Sequence, residues 1–353
     1  MTKPWRVAIN GFGRIGRLIM RAAIESGRKD LTFVAINDLG SAEVNAHLLK
    51  HDTVHGLLGA DVFASEGRIR ANGFDVAVFT EVLPRKLPWR ELDVDIVFEC
   101  TGRLSSRDDA AAHIEAGAKR VLVSAPSRGA DATVVYGINH HELTGDDIIV
   151  SNASCTTNCL VPVVKVLDDL LGVERGFMTT VHAITGDQRP LDAFHQDFLL
   201  ARAAYSNLIP TSTGAAKAVG LVLPRLMGRL EGAAIRVPTL NVSLIDLKVD
   251  ISAKTTPEEV NRAFERAAVQ KSFNGVLQVN KVPLASSDFN HNPASAIVDL
   301  AATTVIDGRM VRVLAWYDNE WGFANRMLDT ATVMGNLIGK KQKARVREPA
   351  LGR

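Results

Sequence analysis

Two of the three cysteines of the chain lie close together in the segment SNASCTTNCLVP, residues 151–162. On a helix, Cys155 and Cys159 would present both sulfurs on one face, as half of a metal site would require. The sequence offers no second cysteine pair or histidine cluster to complete such a site, so we expect no metal. The alternative chemistry is nucleophilic, in which one thiolate attacks an electrophilic carbon.

Cys155 is the better candidate nucleophile of the two because of its position. The residues before it form a turn signal, and the stretch after it predicts a helix that begins at or near Cys155. A helix N-terminus stabilises a thiolate, and a nearby cationic histidine would lower the pKa of the thiol further. We predict that Cys159, one turn further along, is a small core residue and that Cys100, in DIVFECTG, is a buried strand residue.

His182 is the candidate partner of Cys155. It stands near the end of the apolar segment MTTVHAIT, immediately before a polar loop, so its ring could reach a site at the end of a strand. A histidine on an apolar strand can also be a structural residue with satisfied hydrogen bonds. Residue type alone leaves both interpretations open.

A second motif, VAINGFGRIGRL, carries Gly11, Gly13 and Gly16 in G-x-G-x-x-G spacing between an apolar strand and an amphipathic helix. The glycines permit a tight turn, a close approach of the backbone to a pyrophosphate and close packing of the helix, whose N-terminus attracts the anion. Asp38 ends the next apolar run, where its carboxylate can accept hydrogen bonds from a ribose and repels a 2′-phosphate. The motif therefore predicts NAD rather than NADP, with a purely structural glycine turn as the alternative.

Roughly the first 150 residues alternate short Val- and Ile-rich runs with helix-period segments, which predicts parallel strands covered on both faces. From about residue 170 the runs are longer and alternate, which predicts an antiparallel or mixed sheet with one buried face. The predicted fold class is α/β, with a doubly wound, Rossmann-type NAD-binding domain followed by an α+β catalytic domain. We predict these domains over residues 1–153 and 154–318, a C-terminal helix within 319–339 and a basic tail over 340–353.

Composition and charge exclude several classes of protein. Of the 353 residues, 46% are hydrophobic and 23% are charged, which is typical of a soluble globular chain. The start lacks the pattern of a signal peptide and no run approaches about 18 apolar residues, so we predict a cytoplasmic location. Six Lys or Arg fall in residues 339–353, and a solvated end accounts for them without a nucleic-acid or membrane partner.

Seven segments, in order, resemble the glyceraldehyde-3-phosphate dehydrogenase family across nearly all of residues 5–338: INGFGRIGR, SNASCTTNCL, TTVHA, IPTSTGAAKAVGLVLP, AIRVPT, DFNHNPASAIVD and WYDNEWGFANRM. The resemblance implies a phosphorylating, NAD-dependent enzyme of glycolysis or gluconeogenesis that forms a homotetramer. It also implies that the C-terminal helix returns to the nucleotide-binding domain.

The same resemblance implies a mechanism. Cys155 attacks the aldehyde of D-glyceraldehyde 3-phosphate, and His182 activates the thiol and accepts the hemithioacetal proton. Hydride passes to NAD, and inorganic phosphate attacks the resulting thioester to give 1,3-bisphosphoglycerate. A thioester retains acyl-transfer energy that a hydrolysed acid would lose, so this oxidation can drive phosphorylation.

The resemblance also assigns residues to three binding sites. The substrate phosphate is bound by Thr185, Asp187 and Arg236, of which Arg236 carries the charge and Asp187 orients it. The site for inorganic phosphate uses hydroxyls and backbone N–H groups of Ser154, Thr156, Thr213 and Gly214. The cofactor positions are Gly11, Gly13, Arg14, Ile15, Gly16, Asp38, Thr101, Ser124 and Asn319. Asn319 would orient the nicotinamide amide.

The chain departs from the family pattern where apolar residues replace charged ones, near the cofactor and in a later loop, at Val82, Leu83, Leu199 and Leu200. These changes affect one contact on the adenosine side and the packing of subunits. Relatives that accept NADP carry small polar residues where this chain has Leu39 and Phe194. Neither side chain binds a 2′-phosphate, so NAD remains the prediction.

Two alternatives stay open on the sequence. Erythrose-4-phosphate dehydrogenase shares the fold, the cysteine and the histidine, but that family alters the segments equivalent to ITGDQ and TSTG, which here keep the phosphorylating form. A binding or regulatory protein that has lost catalysis, and whose basic tail contacts RNA or an anionic surface, belongs to a different class. Because every catalytic residue type is present, we expect the enzyme, acting on glyceraldehyde 3-phosphate and inorganic phosphate.

Overall fold

The computed structural model describes residues 3–340, so all but the first residue of the predicted basic tail lies outside the described part. The strands, in chain order, are β1 (Trp5–Asn10), β2 (Leu31–Asn37), β3 (His51–Asp52), β4 (Gly56–Leu57), β5 (Val62–Ser65), β6 (Arg68–Ala71), β7 (Phe74–Phe79), β8 (Ile96–Glu99), β9 (Arg120–Val123), β10 (Ala132–Thr133), β11 (Ile149–Ser151), β12 (Val173–His182), β13 (Ile209–Ser212), β14 (Leu230–Arg236), β15 (Ser243–Ile251), β16 (Leu277–Asn280), β17 (Ala296–Ile306) and β18 (Met310–Tyr317). The α-helices are α1 (Arg14–Glu25), α2 (Ala42–Lys50), α3 (Arg107–Glu115), α4 (Cys155–Leu171), α5 (Ala215–Val222), α6 (Pro257–Ala268) and α7 (Trp321–Asn336). Among these described residues, no helix is long and apolar enough to cross a membrane.

The first sheet has nine strands in the order β10-β11-β9-β8-β1-β2-β7-β6-β5. The pairs from β10 to β7 are parallel, and β6 and β5 add an antiparallel edge. β8 and β9 are buried along their whole length and β1 along most of it, as expected for strands with helices on both faces. The predicted doubly wound α/β architecture is confirmed.

The second sheet has seven strands in the order β13-β14-β12-β15-β18-β17-β16. Its centre is antiparallel, while β12 pairs in parallel with β14 and β16 pairs in parallel with β17. β15 alternates buried and half-buried residues, because one face of the sheet packs on a core to which α4, α5 and α6 contribute. The prediction of a mixed sheet with one buried face is therefore also confirmed.

Helix α7 leaves the second sheet and packs against α1 of the first domain. Its apolar residues, among them Met327 and Ala331, are buried in the same core as β1. Gly335 lies against the ring of Trp5, so closely that a Cβ there would stand 2.5 Å from a ring carbon. Without a side chain at this position, the last turns of α7 can sit directly on the start of β1.

The contact between α7 and β1 predicts a stability effect for Gly335→Ala. In a free helix alanine is favoured over glycine by roughly 1 kcal/mol, but overpacking of this kind costs about 1–3 kcal/mol. We therefore expect a melting temperature a few degrees below that of the wild type, measured by circular dichroism.

Gly59→Ala is the matched control, because a Cβ at Gly59 has no heavy atom within 4 Å. Its melting temperature should stay at the wild-type value. Equal melting temperatures for Gly335→Ala and the wild type would contradict the close packing of α7 on Trp5.

Candidate active site

The turn between β11 and α4 presents Cys155. Ala153 adopts a φ of +55°, in the left-handed region that residues with a side chain seldom occupy. Ser154 caps the helix, its hydroxyl oxygen accepting a hydrogen bond from the N–H of Thr157 (3.1 Å). Cys155 is the first residue of α4, as the sequence predicts, so its thiol lies among N–H groups that have no partner within the helix.

The structure brings Cys155 and His182 together. The Sγ atom of Cys155 lies 3.5 Å from Nε2 of His182, although 27 positions separate them in the chain. His182 is the last residue of β12 and is 4% exposed. The ring of Tyr317 meets the imidazole edge-on and closes the site from the side of β18.

The protonation of this pair differs from the sequence-based expectation. Burial raises the pKa of the Cys155 thiol, and the charge of Arg236 and hydrogen bonds from Thr156 offset this in part. Burial, and then the charge of Arg236, lower the pKa of His182 to about 4. These surroundings therefore favour a thiol beside a neutral imidazole at neutral pH, and not the cationic histidine expected from the sequence.

Arg236 contacts the other ring nitrogen of His182. The parallel pairing of β12 with β14 puts the two residues opposite each other, with Nη1 of Arg236 2.9 Å from Nδ1 of His182. The same Nδ1 is 2.7 Å from the carbonyl oxygen of Ala183. A neutral imidazole can make only one of these two hydrogen bonds at a time. Without a proton, Nδ1 accepts from Arg236; with a proton, it donates to the carbonyl oxygen of Ala183.

Thr185, Asp187 and Arg236, predicted to bind the substrate phosphate, form one connected group. Nη1 of Arg236 donates to the hydroxyl oxygen of Thr185 (3.0 Å), and that hydroxyl donates to the carboxylate of Asp187. Asp187 therefore orients Arg236 through Thr185 and not directly. Nε of Arg236 is buried and has no partner within residues 3–340, which leaves donor capacity for an anion.

The residues predicted to hold inorganic phosphate lie in two kinds of surroundings, at helix N-termini and in the buried interior. Ser154 and Gly214 are the caps of α4 and α5, two helices that pack together, and Thr213 precedes Gly214. Helix N-termini of this kind offer free N–H groups to an anion. Thr156, by contrast, is buried with its hydroxyl 2.9 Å from the hydroxyl of Tyr317.

The hydroxyl of Thr156 is committed to the protein. Thr180 donates its hydroxyl hydrogen to the carbonyl of Leu244 (3.0 Å), so it can only accept from Tyr317, 2.9 Å away. Tyr317 must then accept from Thr156. In this network the hydroxyl hydrogen of Thr156 is donated to Tyr317, so its backbone N–H is the donor that is left for an anion. The assignment of Thr156 to the phosphate site stays a prediction.

A cleft of about 410 Å³ lies at the carboxyl ends of β1, β2 and β8, the usual place for a nucleotide in a doubly wound sheet. Four predicted cofactor residues line it, namely Gly11, Gly13, Asp38 and Thr101. Gly11 has a φ of +88°, and a Cβ there would lie 2.7 Å from the backbone nitrogen of Thr101. A Cβ at Gly16 would lie 2.2 Å from the carbonyl oxygen of Gly11, so the loop has room for neither side chain.

Asp38 has a structural function besides the predicted ribose contact. Its Oδ2 accepts a hydrogen bond from the N–H of Phe12 (2.8 Å), inside the glycine loop, and its Oδ1 accepts from the N–H of Gly40 (3.0 Å). The carboxylate therefore helps to hold the glycine loop in its observed shape. Any ribose hydroxyl must share these oxygens through their remaining lone pairs.

Arg14 and Ile15 stand between Gly13 and Gly16 of the glycine motif but do not line the cleft. The guanidinium of Arg14 forms ion pairs with Asp52 (2.6 Å) and Glu320 (2.5 Å). Burial opposes its charge, but Glu320 and Asp52 raise the pKa of Arg14 overall. Ile15 is partly buried against the core of the first sheet. Both residues can therefore contribute backbone N–H groups from the start of α1, while the side chain of Arg14 is already paired.

Ser124 and Asn319 also lie outside the lining of this cleft. Ser124 follows β9, and its side chain offsets part of the rise that burial causes in the pKa of Cys100. Asn319 lies between β18 and α7, where its Oδ1 accepts a hydrogen bond from the hydroxyl of Ser243 (2.8 Å). Asn319 is therefore on the side of the catalytic domain, as a residue that contacts a nicotinamide would be.

The other two cysteines lie in different surroundings. Cys159 is fully buried in the core beneath the second sheet, as predicted. Cys100 follows β8 and lines the cleft, so its predicted place as a buried strand residue is only partly right. Within residues 3–340, no group of three or more His, Cys, Asp and Glu side chains is placed to hold a metal ion.

Sequence reasoning missed several residues of the cleft, namely Asn10, Asn37, Glu81, Pro84, Arg103 and Leu104. Each lies at or shortly after the end of a strand of the parallel part of the sheet or in the loop that follows. The carboxyl ends of these strands meet at one edge of the sheet. A position at the end of a predicted parallel strand was therefore a signal that could have identified these residues. The Val82 and Leu39 side chains give the same cleft an apolar rim.

Comparison with protein families matches both parts of the chain. Residues 5–107 match the model described as the NAD binding domain of glyceraldehyde 3-phosphate dehydrogenase. Residues 154–319 match the model for the C-terminal domain of the same enzyme. Together the two models cover most of the chain, including the glycine loop and the Cys155–His182 pair.

Relatives with the name glyceraldehyde-3-phosphate dehydrogenase cover almost the whole chain. The protein of Xanthobacter flavus is 58% identical over 332 residues, which are 94% of this chain and 99% of the relative. That of Cereibacter sphaeroides is 57% identical over 333 residues, again 94% and 99% of the two chains. A Bacillus subtilis protein, glyceraldehyde-3-phosphate dehydrogenase 2, is 52% identical over 325 residues, 92% of this chain and 95% of the relative. The chain therefore belongs to the glyceraldehyde 3-phosphate dehydrogenase family.

Proposed function

We propose that the protein oxidises D-glyceraldehyde 3-phosphate to 1,3-bisphosphoglycerate with NAD and inorganic phosphate. The observation that carries the proposal is the 3.5 Å contact between Sγ of Cys155 and Nε2 of His182, with Arg236 at the other ring nitrogen. A thiol beside a neutral base can attack an aldehyde, and the guanidinium can bind an anionic group on the same substrate. The relatives that cover the chain bear the name of this activity.

The reaction begins with proton transfer from the thiol of Cys155 to Nε2 of His182. Sγ attacks the aldehyde carbon, and His182 returns the proton to the developing alkoxide, which gives a hemithioacetal. His182 then accepts the hydroxyl proton while the hydride leaves the same carbon. NAD, when bound in the cleft, supplies the nicotinamide that accepts this hydride. The acyl group remains on Cys155 as a thioester.

Phosphate completes the reaction by attacking the thioester carbon and releasing the thiol. Two anion sites are therefore needed. The first is the connected group of Thr185, Asp187 and Arg236, whose guanidinium binds the phosphate carried by the substrate. The second is at the N-termini of α4 and α5, where Ser154 and Gly214 are the caps. Backbone N–H groups at both helix ends can bind the attacking phosphate.

We also propose that the protein acts as a homotetramer in the cytoplasm. The segment after β12 exposes several large apolar side chains, including Leu191, Phe194 and Phe198, with Phe198 88% exposed. Exposed apolar residues in such number are typical of a surface that another subunit covers. The domain bounds at 1–153, 154–318 and 319–339 stay a prediction, which the separate cores of the two sheets support.

The proposed nucleophile predicts the behaviour of Cys155→Ser in an assay of NADH formation. A serine hydroxyl is far less ionised than a thiol, so we expect activity to fall at least about 1000-fold. The wild type should require inorganic phosphate for sustained turnover. Cys159→Ala, which alters a buried thiol in the core, is the matched control and should keep most of the activity.

Two results would contradict the proposal. Activity of Cys155→Ser close to that of the wild type would exclude the thioester mechanism. Wild-type rates with glyceraldehyde 3-phosphate that do not depend on phosphate would favour erythrose-4-phosphate dehydrogenase chemistry, and a faster rate with erythrose 4-phosphate would establish it.

Asp38 predicts the cofactor preference. Because its carboxylate repels a 2′-phosphate, kcat/KM with NAD should exceed kcat/KM with NADP by about 100-fold or more. Asp38→Ala should lower kcat/KM with NAD at least about tenfold without creating a preference for NADP, since the N–H groups of Phe12 and Gly40 also lose their acceptor. Asp61→Ala, at an exposed position outside the cleft lining, is the control. Strong NADP use by the wild type would refute the argument.

The lowered pKa of His182 predicts an acid-sensitive stability. In the unfolded chain the imidazole has its ordinary pKa of 6.5, whereas in the folded protein it is about 4. Between these values the unfolded state binds more protons, so stability falls as the pH falls, by about 2 kcal/mol on reaching pH 5. Urea unfolding at pH 7.5 and pH 5 should show that His182→Asn loses less stability on acidification than the wild type does.

His141→Asn is the control for this measurement, because His141 is exposed. This variant should lose as much stability on acidification as the wild type. If His182→Asn does so too, the imidazole is not held neutral by its surroundings.

A further inference from the structure

Ser243 lies between the catalytic histidine and Asn319, at a position set by the sheet. β15 stands between β12 and β18 in the strand order. Ser243, its first residue, is opposite Tyr317, two positions before Asn319. The same strand pairs along its other edge with the end of β12, which carries His182. Ser243 is therefore at the strand end where both functional residues meet.

The hydroxyl of Ser243 makes two hydrogen bonds with defined directions. Its oxygen accepts from the backbone N–H of Ala183 (3.0 Å), and its hydrogen is donated to Oδ1 of Asn319 (2.8 Å). Ser243 is 1% exposed and Asn319 is 4% exposed, so both bonds are shielded from bulk water. If the Asn319 amide were flipped so that Nδ2 faced Ser243, the hydroxyl hydrogen of Ser243 would have no acceptor.

This arrangement determines which end of the Asn319 amide is available to a ligand. With Oδ1 bound to Ser243, the Nδ2 group points the other way, and within residues 3–340 no hydrogen bond engages it, so it can donate to a carboxamide oxygen. The backbone next to Asn319 is held separately, because the carboxylate of Asp318 accepts from the N–H groups of Glu320 (3.0 Å) and Trp321 (2.7 Å). The hydrogen bond from Ser243 therefore restricts the rotation of the Asn319 side chain.

We propose that Ser243 is a positioning residue that orients the Asn319 amide for the nicotinamide carboxamide and joins this orientation to the backbone beside His182. The inference rests on the proposed function, because it takes the nicotinamide to lie at Asn319. The link to His182 runs through Ala183, whose N–H donates to Ser243 and whose carbonyl oxygen lies 2.7 Å from Nδ1 of His182. One buried hydroxyl thus connects the site of the hydride acceptor with the base.

The test compares NAD with ADP-ribose, which lacks the nicotinamide but keeps the rest of the cofactor. In isothermal titration calorimetry on the full chain, Ser243→Ala should weaken NAD binding about tenfold, the effect of one lost hydrogen bond to the ligand. ADP-ribose binding should stay within about twofold of the wild type, which also shows that the variant is folded. Ser295→Ala is the matched control, because the hydroxyl of Ser295 is equally buried and has no partner in the described structure.

A double-mutant cycle separates positioning from general damage. If Ser243 acts through Asn319, then Ser243→Ala should change NAD affinity less than about twofold in an Asn319→Ala background. Full additivity of the two substitutions, or equal weakening of NAD and ADP-ribose, would overturn the inference. Unchanged NAD affinity in Ser243→Ala would overturn it too, while leaving the proposed function intact. Failure of the wild type itself to bind NAD would instead refute the proposed function, and this inference with it.

Discussion

The pairing of β12 with β14 on one side and with β15 on the other is the constraint on which the active site depends. It sets Arg236 level with His182 and brings Ser243 to the same strand end. Helix α4, which packs on this sheet, begins with Cys155 at 3.5 Å from His182. Because a slip of one residue in either pairing would turn these side chains to the opposite face, strand register determines the chemistry available here.

The same register determines where protons reside. Arg236 is held against Nδ1 of His182, and burial together with this charge lowers the pKa of the imidazole and favours its neutral form. The thiol of Cys155 is therefore not ionised in advance by a cationic partner, and a thiolate forms as the base takes its proton. An anion bound by Arg236 would cancel part of the charge that weakens this base. If the substrate phosphate binds Arg236 as proposed, substrate binding and activation of the nucleophile are coupled through one guanidinium.

The sequence was sufficient for the fold class and for the position of Cys155, because periodicity and helix caps are local properties. It was insufficient where a polar atom is used by a distant partner. Thr156 stands beside the nucleophile, but its hydroxyl is bound to Tyr317, 161 positions away. Arg14 belongs to the glycine motif, but its guanidinium is bound to Glu320, 306 positions away. A motif thus predicts which residues lie near the site, and long-range hydrogen bonds determine which of their atoms are free.

The glycine loop depends both on its local motif and on long-range hydrogen bonds. Gly11 and Gly16 are required by contacts too short for a side chain, whereas a Cβ at Gly13 would meet no heavy atom within 4 Å. The shape of the loop also depends on Asp38, which stands at the end of the neighbouring strand and accepts a hydrogen bond from the N–H of Phe12. Because Arg14 is already paired, the loop offers the cofactor backbone N–H groups rather than a cationic side chain. The carboxylate that holds this loop is the one that repels a 2′-phosphate. In the proposed assignment, the residue that shapes the loop also selects the cofactor, so a change of specificity at Asp38 would require a second change that restores an acceptor for the N–H of Phe12.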